Sequence, residues 1–335
     1  MTTGSQGRLT DSHGRQITYL RLSITDRCNL RCFYCMPQAD FNWMPPKKIL
    51  RFEEIVQIVR VLASQGVKKV RFTGGEPLVR KDVVKLVDDV SSLGGIEEVC
   101  LTTNGVLLRS MANGLYDAGL RHLNISLDTL KPERFLAITG RDFFDEVWKG
   151  IEKCIHLGFS PVKINFVMMR GKNDDEIVDF VRLTERLPID VRFIEFMPIG
   201  KHSKWGKNYF ISSDDALGRI EKEFGRLLPV ERTKDSGPAQ MYRFEKGKGK
   251  IGFISPLSHR FCSSCNRLRI TADGRVRLCL FSDIEIGLRE RLRKGVTDDG
   301  LAQIFSDIIT KKPARYLTNQ TDVPSCNRQM SSIGG

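Results

Sequence analysis

The sequence predicts an α/β fold, namely a partial TIM-type βα barrel of about six units followed by a smaller C-terminal domain. Two observations carry this prediction. Short runs rich in Val, Ile, Leu, Phe and Thr alternate with segments of helical period as far as about residue 225, and short alternating runs with turn signals replace them beyond it. Strands that alternate with helices indicate βαβ units in a parallel sheet, and about six units are too few for a closed eight-stranded barrel.

The predicted barrel strands are short and apolar, as strands buried between helices are. They are Thr18–Thr25, Lys69–Thr73, Val99–Thr103, His122–Asp128, Val162–Met168 and Val191–Met197. Between them, apolar residues recur at helical spacing. The predicted helices include Phe52–Ser64, Lys81–Leu93 and Ile177–Leu187.

The polar stretch Glu231–Gln240 contains Gly-Pro and predicts a linker or an exposed loop. Beyond it, two pairs of alternating runs predict hairpins. One pair is Met241–Phe244 with Ile251–Ile254, and the other is Leu268–Thr271 with Val276–Leu280. We therefore expect one domain over residues 1–230 and a second over 231–335.

Composition limits the class of protein. Lys and Arg number 53 against 40 Asp and Glu, and the net charge of +13 favours a partner that carries phosphates or other negative charge. The sequence contains no run of 18 or more apolar residues, so a membrane span is not expected. Met1–Asp11 lacks the apolar core of a secretory signal, so such a signal is not expected either. Nine cysteines, an odd number, with no export signal indicate the reducing cytoplasm, where clustered cysteines are more often metal ligands than disulfides.

Six of the nine cysteines form two groups of three. A structural zinc ion requires four protein ligands, whereas three thiolates on a four-iron cluster leave one iron open to a small molecule. For the second group, structural zinc with His259 as the fourth ligand is an alternative. Cys100, Cys154 and Cys326 stand alone and are interpreted as core residues. The first triad is Cys28, Cys32 and Cys35, and the second triad is Cys262, Cys265 and Cys279.

The first triad carries a resemblance to a known family. Cys-x3-Cys-x2-Cys with Tyr34 before the third cysteine resembles the signature of the radical S-adenosylmethionine (SAM) enzymes, and Thr73–Pro77 (TGGEP) resembles their glycine-rich loop. The resemblance implies that the first triad holds a [4Fe-4S] cluster that binds SAM and cleaves it to a 5′-deoxyadenosyl radical. The SAM-binding positions that it implies are Tyr34, Gly75, Ser126 and Met197. Taken singly, Ser126 and Met197 could also be core residues.

Further segments narrow the resemblance to the radical SAM enzymes that begin molybdenum cofactor biosynthesis. They are Thr25–Cys32, Tyr34–Pro37, Arg71–Leu78, Leu101–Gly105, Asn124–Asp128, Phe193–Pro198 and Asn266–Arg269. This resemblance implies conversion of GTP to (8S)-3′,8-cyclo-7,8-dihydroguanosine 5′-triphosphate. It also implies a second [4Fe-4S] cluster on the second triad, with guanine at its open iron.

The implied GTP-binding residues include many cations. Arginine suits phosphate because its planar fork makes paired hydrogen bonds. Arg21, Lys163 and Arg192 lie in the middle of predicted strands, where a buried charge is costly unless it has a partner. A triphosphate inside the barrel would be that partner, although salt-bridged or solvated edge positions remain an alternative. The full set is Arg21, Lys69, Arg71, Thr102, Lys163, Arg192, Arg267 and Arg269.

The resemblance also implies a catalytic supporting role for Gly334 and Gly335, which by composition alone would form a loose tail. The partners that it implies are GTP, a reductant protein of unknown identity, a downstream cyclic pyranopterin monophosphate synthase and a second copy of the chain. Neither nucleic acid nor membrane is expected. Two alternatives remain open: a radical SAM enzyme that acts on a peptide, and a zinc-bearing nucleic-acid-binding protein. The latter would interleave aromatic residues with a basic patch, whereas the aromatic 8% here follow the apolar pattern.

Overall fold

The computed structural model describes residues 7–36, 43–200, 205–231, 237–244, 247–316 and 326–334. Within these ranges the strands form one sheet. They are β1 Tyr19–Ser23, β2 Lys69–Thr73, β3 Glu98–Thr103, β4 His122–Ser126, β5 Val162–Met168, β6 Ile189–Glu195, β7 Leu228–Pro229, β8 Gln240–Arg243, β9 Ile251–Ile254, β10 Arg267–Ile270, β11 Arg275–Arg277 and β12 Ile286–Gly287.

Most of the α-helices connect these strands. They are α1 Phe52–Ser64, α2 Val83–Ser91, α3 Leu108–Asp117, α4 Pro132–Thr139, α5 Phe144–His156, α6 Ile177–Arg186, α7 Ser213–Phe224, α8 Arg289–Arg293, α9 Asp298–Ile309 and α10 Met330–Ile333. Among the described residues, no helix has both the length and the apolar character to cross a membrane.

The sheet is an open barrel of six βα units, as the sequence predicts. Strands β1 to β6 are parallel neighbours in chain order. Strands β12 and β7 lie at the two ends of the sheet and do not pair with each other in the described part of the chain. The two predicted hairpins form as β8–β9 and β10–β11. In addition, β9 pairs in parallel with β6 and β10 with β1, which the sequence patterns do not predict. The division into 1–230 and 231–335 stays a prediction, and the sheet continues across it.

Alternation along the strands separates the core from the interior of the barrel. Leu20, Leu22, Val70 and Phe72 are fully buried and belong to the main hydrophobic cluster, which includes residues of the surrounding helices. Burial of each such side chain contributes about 1.5–3 kcal/mol. Because neighbouring residues of a strand point to opposite faces, the residues between them point away from this cluster. That second face holds the polar side chains of the site.

Three buried glutamates fix the loops at the carboxyl ends of the strands. Glu76, which follows β2, accepts hydrogen bonds from the Thr103 hydroxyl at 2.7 Å and the Asn104 amide at 2.6 Å. Glu176 does the same for the loop after β4, and Glu195 for the loops after β6 and β9. Each carboxylate satisfies donors that burial would otherwise leave unpaired, so it joins neighbouring loops into one rigid rim.

Candidate active site

The two triads lie at opposite ends of the same pair of strands. The loop that carries the first triad follows β1, and Cys265 of the second triad lies two residues before the start of β10. These strands are parallel, with Tyr19 opposite Arg267 and Leu22 opposite Ile270. A strand advances about 3.3 Å per residue, so the length of β1 alone separates the triads by roughly 13 Å.

A chamber of about 400 Å³ occupies the barrel interior. The second triad lines it, together with the rings of Phe261 and Tyr316. Seven of the eight predicted GTP-binding residues also line it, and Thr102 does not. The Thr102 hydroxyl is buried without a hydrogen-bond partner in the described part of the chain. The cations that line the chamber are Arg21, Lys69, Arg71, Lys163, Arg192, Arg260, Arg267 and Arg269. Sequence reasoning missed Arg260, whose only signal is its place two residues before Cys262.

Strand register places three arginines side by side. Arg21 lies opposite Arg71 on one side and opposite Arg269 on the other. Like charges at directly opposite positions destabilise a sheet. Burial and the neighbouring cations lower the pKa of Arg21 to about 10 and hold that of Arg269 well below its ordinary value. This row of arginines therefore has the electrostatics of a site for a polyanion.

The remaining chamber cations differ in their partners. Burial, together with Arg192 and Arg71, lowers the pKa of Lys163 to about 7. Lys69 lies 2.5 Å from Glu98, so the salt-bridged alternative describes this residue. Arg71 donates to the Tyr19 hydroxyl at 2.5 Å and to a backbone carbonyl. Lys163 is therefore a cation whose charge a bound anion would restore.

Backbone and amide donors surround the first triad. The Cys28 sulfur accepts from the Leu30 amide at 3.4 Å and from the Asn104 side chain at 3.7 Å. The Cys35 sulfur accepts from the Ser331 amide. Burial raises the pKa of Cys28 to about 11, with Glu76 adding to the shift, and that of Cys35 to about 12. Cysteines bind a metal as thiolates and release their protons when it binds, so raised thiol pKa values do not exclude a cluster. N–H donors to sulfur are usual around iron–sulfur clusters, so this donor set fits the implied group.

The glycine-rich segment packs against the loop that carries the first triad. Gly75 donates to the Thr25 carbonyl at 2.7 Å, and Glu76 donates to the Arg27 carbonyl at 2.7 Å. A Cβ atom on Gly74 would lie 2.5 Å from the Thr25 carbonyl oxygen, and one on Gly75 would overlap the Arg27 carbonyl. Only glycine permits this approach of two backbones. The structure thus gives both glycines a packing role beside the SAM contact implied for Gly75.

The predicted SAM-binding residues divide between two places. The Tyr34 hydroxyl donates to Asp128 at 2.5 Å, and Asp128 also accepts from the Val167 amide at 2.8 Å. This pair ties the loop of the first triad to the end of β4, where Ser126 also lies. Met197 lines the chamber instead. Sequence reasoning missed Asp128, although it stands at the end of a strand, where barrel enzymes place functional residues.

Cations surround the second triad. Burial opposes ionisation of Cys265, but Arg267 and Lys312 outweigh it and lower the pKa to about 6. The buried Lys312 donates to the carbonyls of Arg267 at 2.8 Å and Leu278 at 2.7 Å, and so joins the segments that carry Cys265 and Cys279. No sequence pattern points to Lys312.

His259 does not join the second triad as a fourth ligand. It is exposed and pairs with Asp214 at 2.8 Å. Among the described residues, no three His, Cys, Asp or Glu side chains converge as ligands of one metal ion. The thiolates of a four-iron cluster bond different irons, so a cluster does not require that convergence.

The end of the chain enters the site. Gly334 is buried at φ +74°, and a side chain there would overlap the Thr73 hydroxyl. Its carbonyl accepts from Arg269 at 2.8 Å. Gly334 thus contacts both the glycine-rich segment and the row of arginines, and only glycine fits. Gly335 lies outside the described residues.

An open βα barrel with a cysteine triad and a glycine-rich segment at the carboxyl ends of its strands defines a radical SAM enzyme. The Radical SAM superfamily model matches residues 22–184, and the Molybdenum Cofactor Synthesis C model matches residues 189–318. The crystal structure of Streptococcus suis SuiB bound to S-adenosylmethionine shares the fold, with a TM-score of 0.63 at 16% identity over 89% of this chain and 69% of that one.

Full-length relatives identify the family. The chain is 47% identical to the GTP 3′,8-cyclase of Moorella thermoacetica over 98% of its own length and 100% of the relative. It is 46% identical to that of Heliobacterium modesticaldum over the same shares. The chain therefore belongs to the GTP 3′,8-cyclase family of radical SAM enzymes, which act in molybdenum cofactor biosynthesis with SAM and a [4Fe-4S] cluster.

Proposed function

We propose that this chain binds GTP in the chamber between two iron–sulfur clusters and converts it to (8S)-3′,8-cyclo-7,8-dihydroguanosine 5′-triphosphate. The first triad would hold the cluster that binds SAM, and the second triad would hold a second [4Fe-4S] cluster. The observation that carries this proposal is the row Arg269–Arg21–Arg71 between the two triads, in which Arg269 and Arg71 are buried and Arg21 is half-buried.

The row favours a triphosphate for a physical reason. Buried cations at adjacent register positions repel each other and have lost their water, so the chamber without a ligand stores an unfavourable charge. Phosphate oxygens accept paired hydrogen bonds from each guanidinium and remove that repulsion. Lys163 and Arg192 extend the row across the barrel, and Arg267 extends it toward the second triad. Lys69 and Thr102 are assigned to the same ligand on family resemblance.

At the other end of the chamber, the chain supplies the site for SAM. When bound, the cluster and SAM supply the radical chemistry, which the protein orients and shields. Cys28, Cys32 and Cys35 would bond three irons of the cluster. Gly75 and Ser126 lie on the rim beside this triad, and Tyr34 is fixed there by Asp128. Met197 lines the chamber and is assigned to the SAM side of it on family resemblance.

The second triad is prepared to bind both a cluster and a base. Cys265 is mostly ionised at neutral pH, as an iron ligand must be. Three thiolates leave one iron free, and guanine presents nitrogen and oxygen atoms that could occupy it. Phe261 and Tyr316 line the same end of the chamber and offer aromatic faces on which a purine stacks. Ring stacking and the open iron together would select a nucleobase at this end.

Several assignments complete the proposal. Gly334 and Gly335 would support catalysis from the end of the chain. A reductant protein supplies electrons, and a cyclic pyranopterin monophosphate synthase consumes the product. None of the nine cysteines, all of which the structure describes, forms a disulfide, which suits the reducing cytoplasm. A homodimer is assigned on family resemblance.

An anaerobic assay tests the proposal. The protein is reconstituted with iron and sulfide, reduced, mixed with SAM and given each nucleoside triphosphate separately, and 5′-deoxyadenosine is measured by chromatography. We expect release with GTP but not with ATP, CTP or UTP, and none from Cys28→Ala. Release that ignores the nucleotide would retain radical SAM chemistry and reject GTP as the substrate, and peptide substrates would then be tested.

A matched pair of variants tests the row of arginines. Arg21→Met should weaken GTP binding by about tenfold to a hundredfold, because a hydrogen bond to a charged group is lost. Arg291→Met is the control, since Arg291 is exposed on α8. Equal affinities of the two variants for GTP would contradict the proposed triphosphate site.

A further inference from the structure

The terminal segment, residues 326–334, is packed against the barrel. It begins with Cys326, whose carbonyl accepts from the Gly200 amide at 2.7 Å. Cys326 and Ile333 are each 1% exposed and pack together with Ile199 in a small hydrophobic cluster. The segment is therefore anchored by backbone pairing and by apolar burial beyond the end of β6.

This segment contacts both the chamber and the first triad. Met330 lines the chamber, and the amide of the next residue, Ser331, donates to the Cys35 sulfur. The segment then ends with the Gly334 carbonyl on Arg269. The helix α10 and the glycine that follows it thus contact a ligand of the first cluster and a cation of the chamber at the same time, so the position of the segment affects both.

Arg328 holds the segment in this position. Its guanidinium lies 2.6 Å from Glu285 and 2.5 Å from Asp273, and all three side chains are largely buried. The other carboxylate oxygen of Glu285 forms an ion pair with the fully buried Arg277 at 2.5 Å. Arg277 also donates a hydrogen bond to the Cys326 sulfur at 3.0 Å. Buried charges with several partners tolerate few alternative geometries, so this network fixes the start of the terminal segment.

The network also connects the segment to the second triad. Asp273 lies in the turn between β10 and β11, and Glu285 directly precedes β12. The chain between these two carboxylates carries Cys279. The part of the chain that supplies the third cysteine of the second triad therefore anchors the segment that touches the first.

We propose that Arg328 is a positioning residue for the reaction: its two ion pairs hold the terminal segment in contact with both the chamber and the first triad. This role requires no contact between Arg328 and a ligand, since Arg328 does not line the chamber. The catalytic part of the proposal rests on the proposed function, whereas the structural part does not.

The test uses reconstituted full-length protein with Arg328→Met, and Arg291→Met on exposed α8 as the matched control. The first readout is alkylation of Cys326 by iodoacetamide in the folded protein, followed by mass spectrometry. We expect Arg328→Met to speed this reaction by about tenfold or more, because the thiol is covered only while the segment is docked. Arg291→Met should leave it unchanged.

The second readout is the kinetics of GTP-dependent release of 5′-deoxyadenosine. We expect kcat to fall by roughly a hundredfold, the cost of misplacing groups around reacting atoms. KM for GTP should change by about threefold at most, because the strand cations remain in place. Arg328→Lys keeps the charge without the planar fork and should be intermediate in both readouts. If Arg328→Met fails to fold, as judged by its melting curve, this variant replaces it.

Two results would overturn the proposal. One is Cys326 as protected in the variant as in the wild type. The other is exposure of Cys326 with kcat unchanged, which would show that the position of the terminal segment does not matter for the reaction. If the wild type itself fails to respond to GTP, the proposed function fails, and the Cys326 readout still decides whether Arg328 docks the segment.

Discussion

The two cysteine triads have the same number of thiols and opposite surroundings. Burial raises the pKa values of Cys28 and Cys35, and the acidic Glu76 and Asp128 add to the shifts, whereas Arg31 opposes the shift at Cys28 more weakly. At the second triad, Arg267 and Lys312 lower the pKa of Cys265 to about 6. Charge and hydrogen bonding around the sulfurs tune an iron–sulfur cluster. The same chain can therefore give two similar clusters different tasks by surrounding them with different charges.

The difference follows from where each triad meets the barrel. The first triad sits on the rim, where buried glutamates fix the loops. The second triad opens into the chamber, where the cations converge. One environment favours a site shielded by backbone donors, and the other favours an anionic ligand beside the cluster.

Removal of one cysteine from each triad is the strongest way to break this comparison. Cys28→Ala should abolish deoxyadenosine release, by about a thousandfold or more, as loss of an essential group does. Cys265→Ala should keep slow release but lose its dependence on GTP, because only the base-binding end is damaged. Chromatography of deoxyadenosine with and without GTP measures both. Equal loss of all release in the two variants would contradict the division of tasks.

Lys163 tests the cationic side. Because the pKa of Lys163 is lowered to about 7, part of this side chain is neutral at neutral pH and must take up a proton when phosphate binds. GTP affinity should therefore be complete below pH 7 and fall above it, by about tenfold per pH unit until the pKa of the complex is reached. Calorimetry in buffers of different ionisation enthalpy measures the proton uptake. Lys163→Arg stays charged and should lose this part of the pH dependence, and Lys163→Met should bind about tenfold to a hundredfold more weakly. An unchanged pH profile in Lys163→Arg would refute the assignment.

Thiol reactivity sharpens the contrast without any cluster. In metal-free protein at pH 7, Cys265 should react with iodoacetamide at least about tenfold faster than Cys35, since the thiolate is the reactive form and only Cys265 is mostly ionised. Peptide mapping by mass spectrometry gives both rates. Arg267→Met should slow Cys265 and leave Cys35 unaffected. Similar rates for the two cysteines would show that the charge contrast is absent.

The smallest effect concerns the loop of the first triad. Tyr34→Phe removes the hydrogen bond to Asp128 and should lower the free energy of unfolding by about 1 kcal/mol. Burial raises the pKa of Asp128 to about 6, while the Tyr34 bond favours the ionised form. The cost of the variant should therefore be present above pH 6 and fade as the pH falls through that value. Urea unfolding of metal-free protein at pH 5 and pH 8 measures it, and a cost independent of pH would contradict this account.

Local patterns sufficed to predict much of the fold. Strands β2 and β5 have the predicted bounds, and α1 spans Phe52–Ser64 as its apolar spacing indicates. Both C-terminal hairpins also form. The parallel pairing of β10 with β1 could not be predicted, because alternation within a segment reports which face is buried and not which distant strand lies beside it.

The site divides in the same way. The charges in the middle of buried strands could be predicted to face the interior of the barrel, because a buried charge is costly without a partner, and the structure places them in the lining of the chamber. Lys312, Asp128 and Arg328 could not be predicted, since each lies at a loop or chain end where a charged residue is ordinary. Only the folded structure shows that these three side chains are paired inside the protein.

The pairing of β10 with β1 has a consequence for biosynthesis. Asn266 bonds to Thr18 across 248 residues of chain. At the ribosome, about 5–20 residues are added each second, so one edge of β1 waits roughly 10–50 seconds for its neighbour. An exposed strand edge invites aggregation, and a charged side chain on that strand deters it. Arg21, which lines the chamber of the folded enzyme, therefore places a charge on β1 that disfavours aggregation of the nascent chain during this interval.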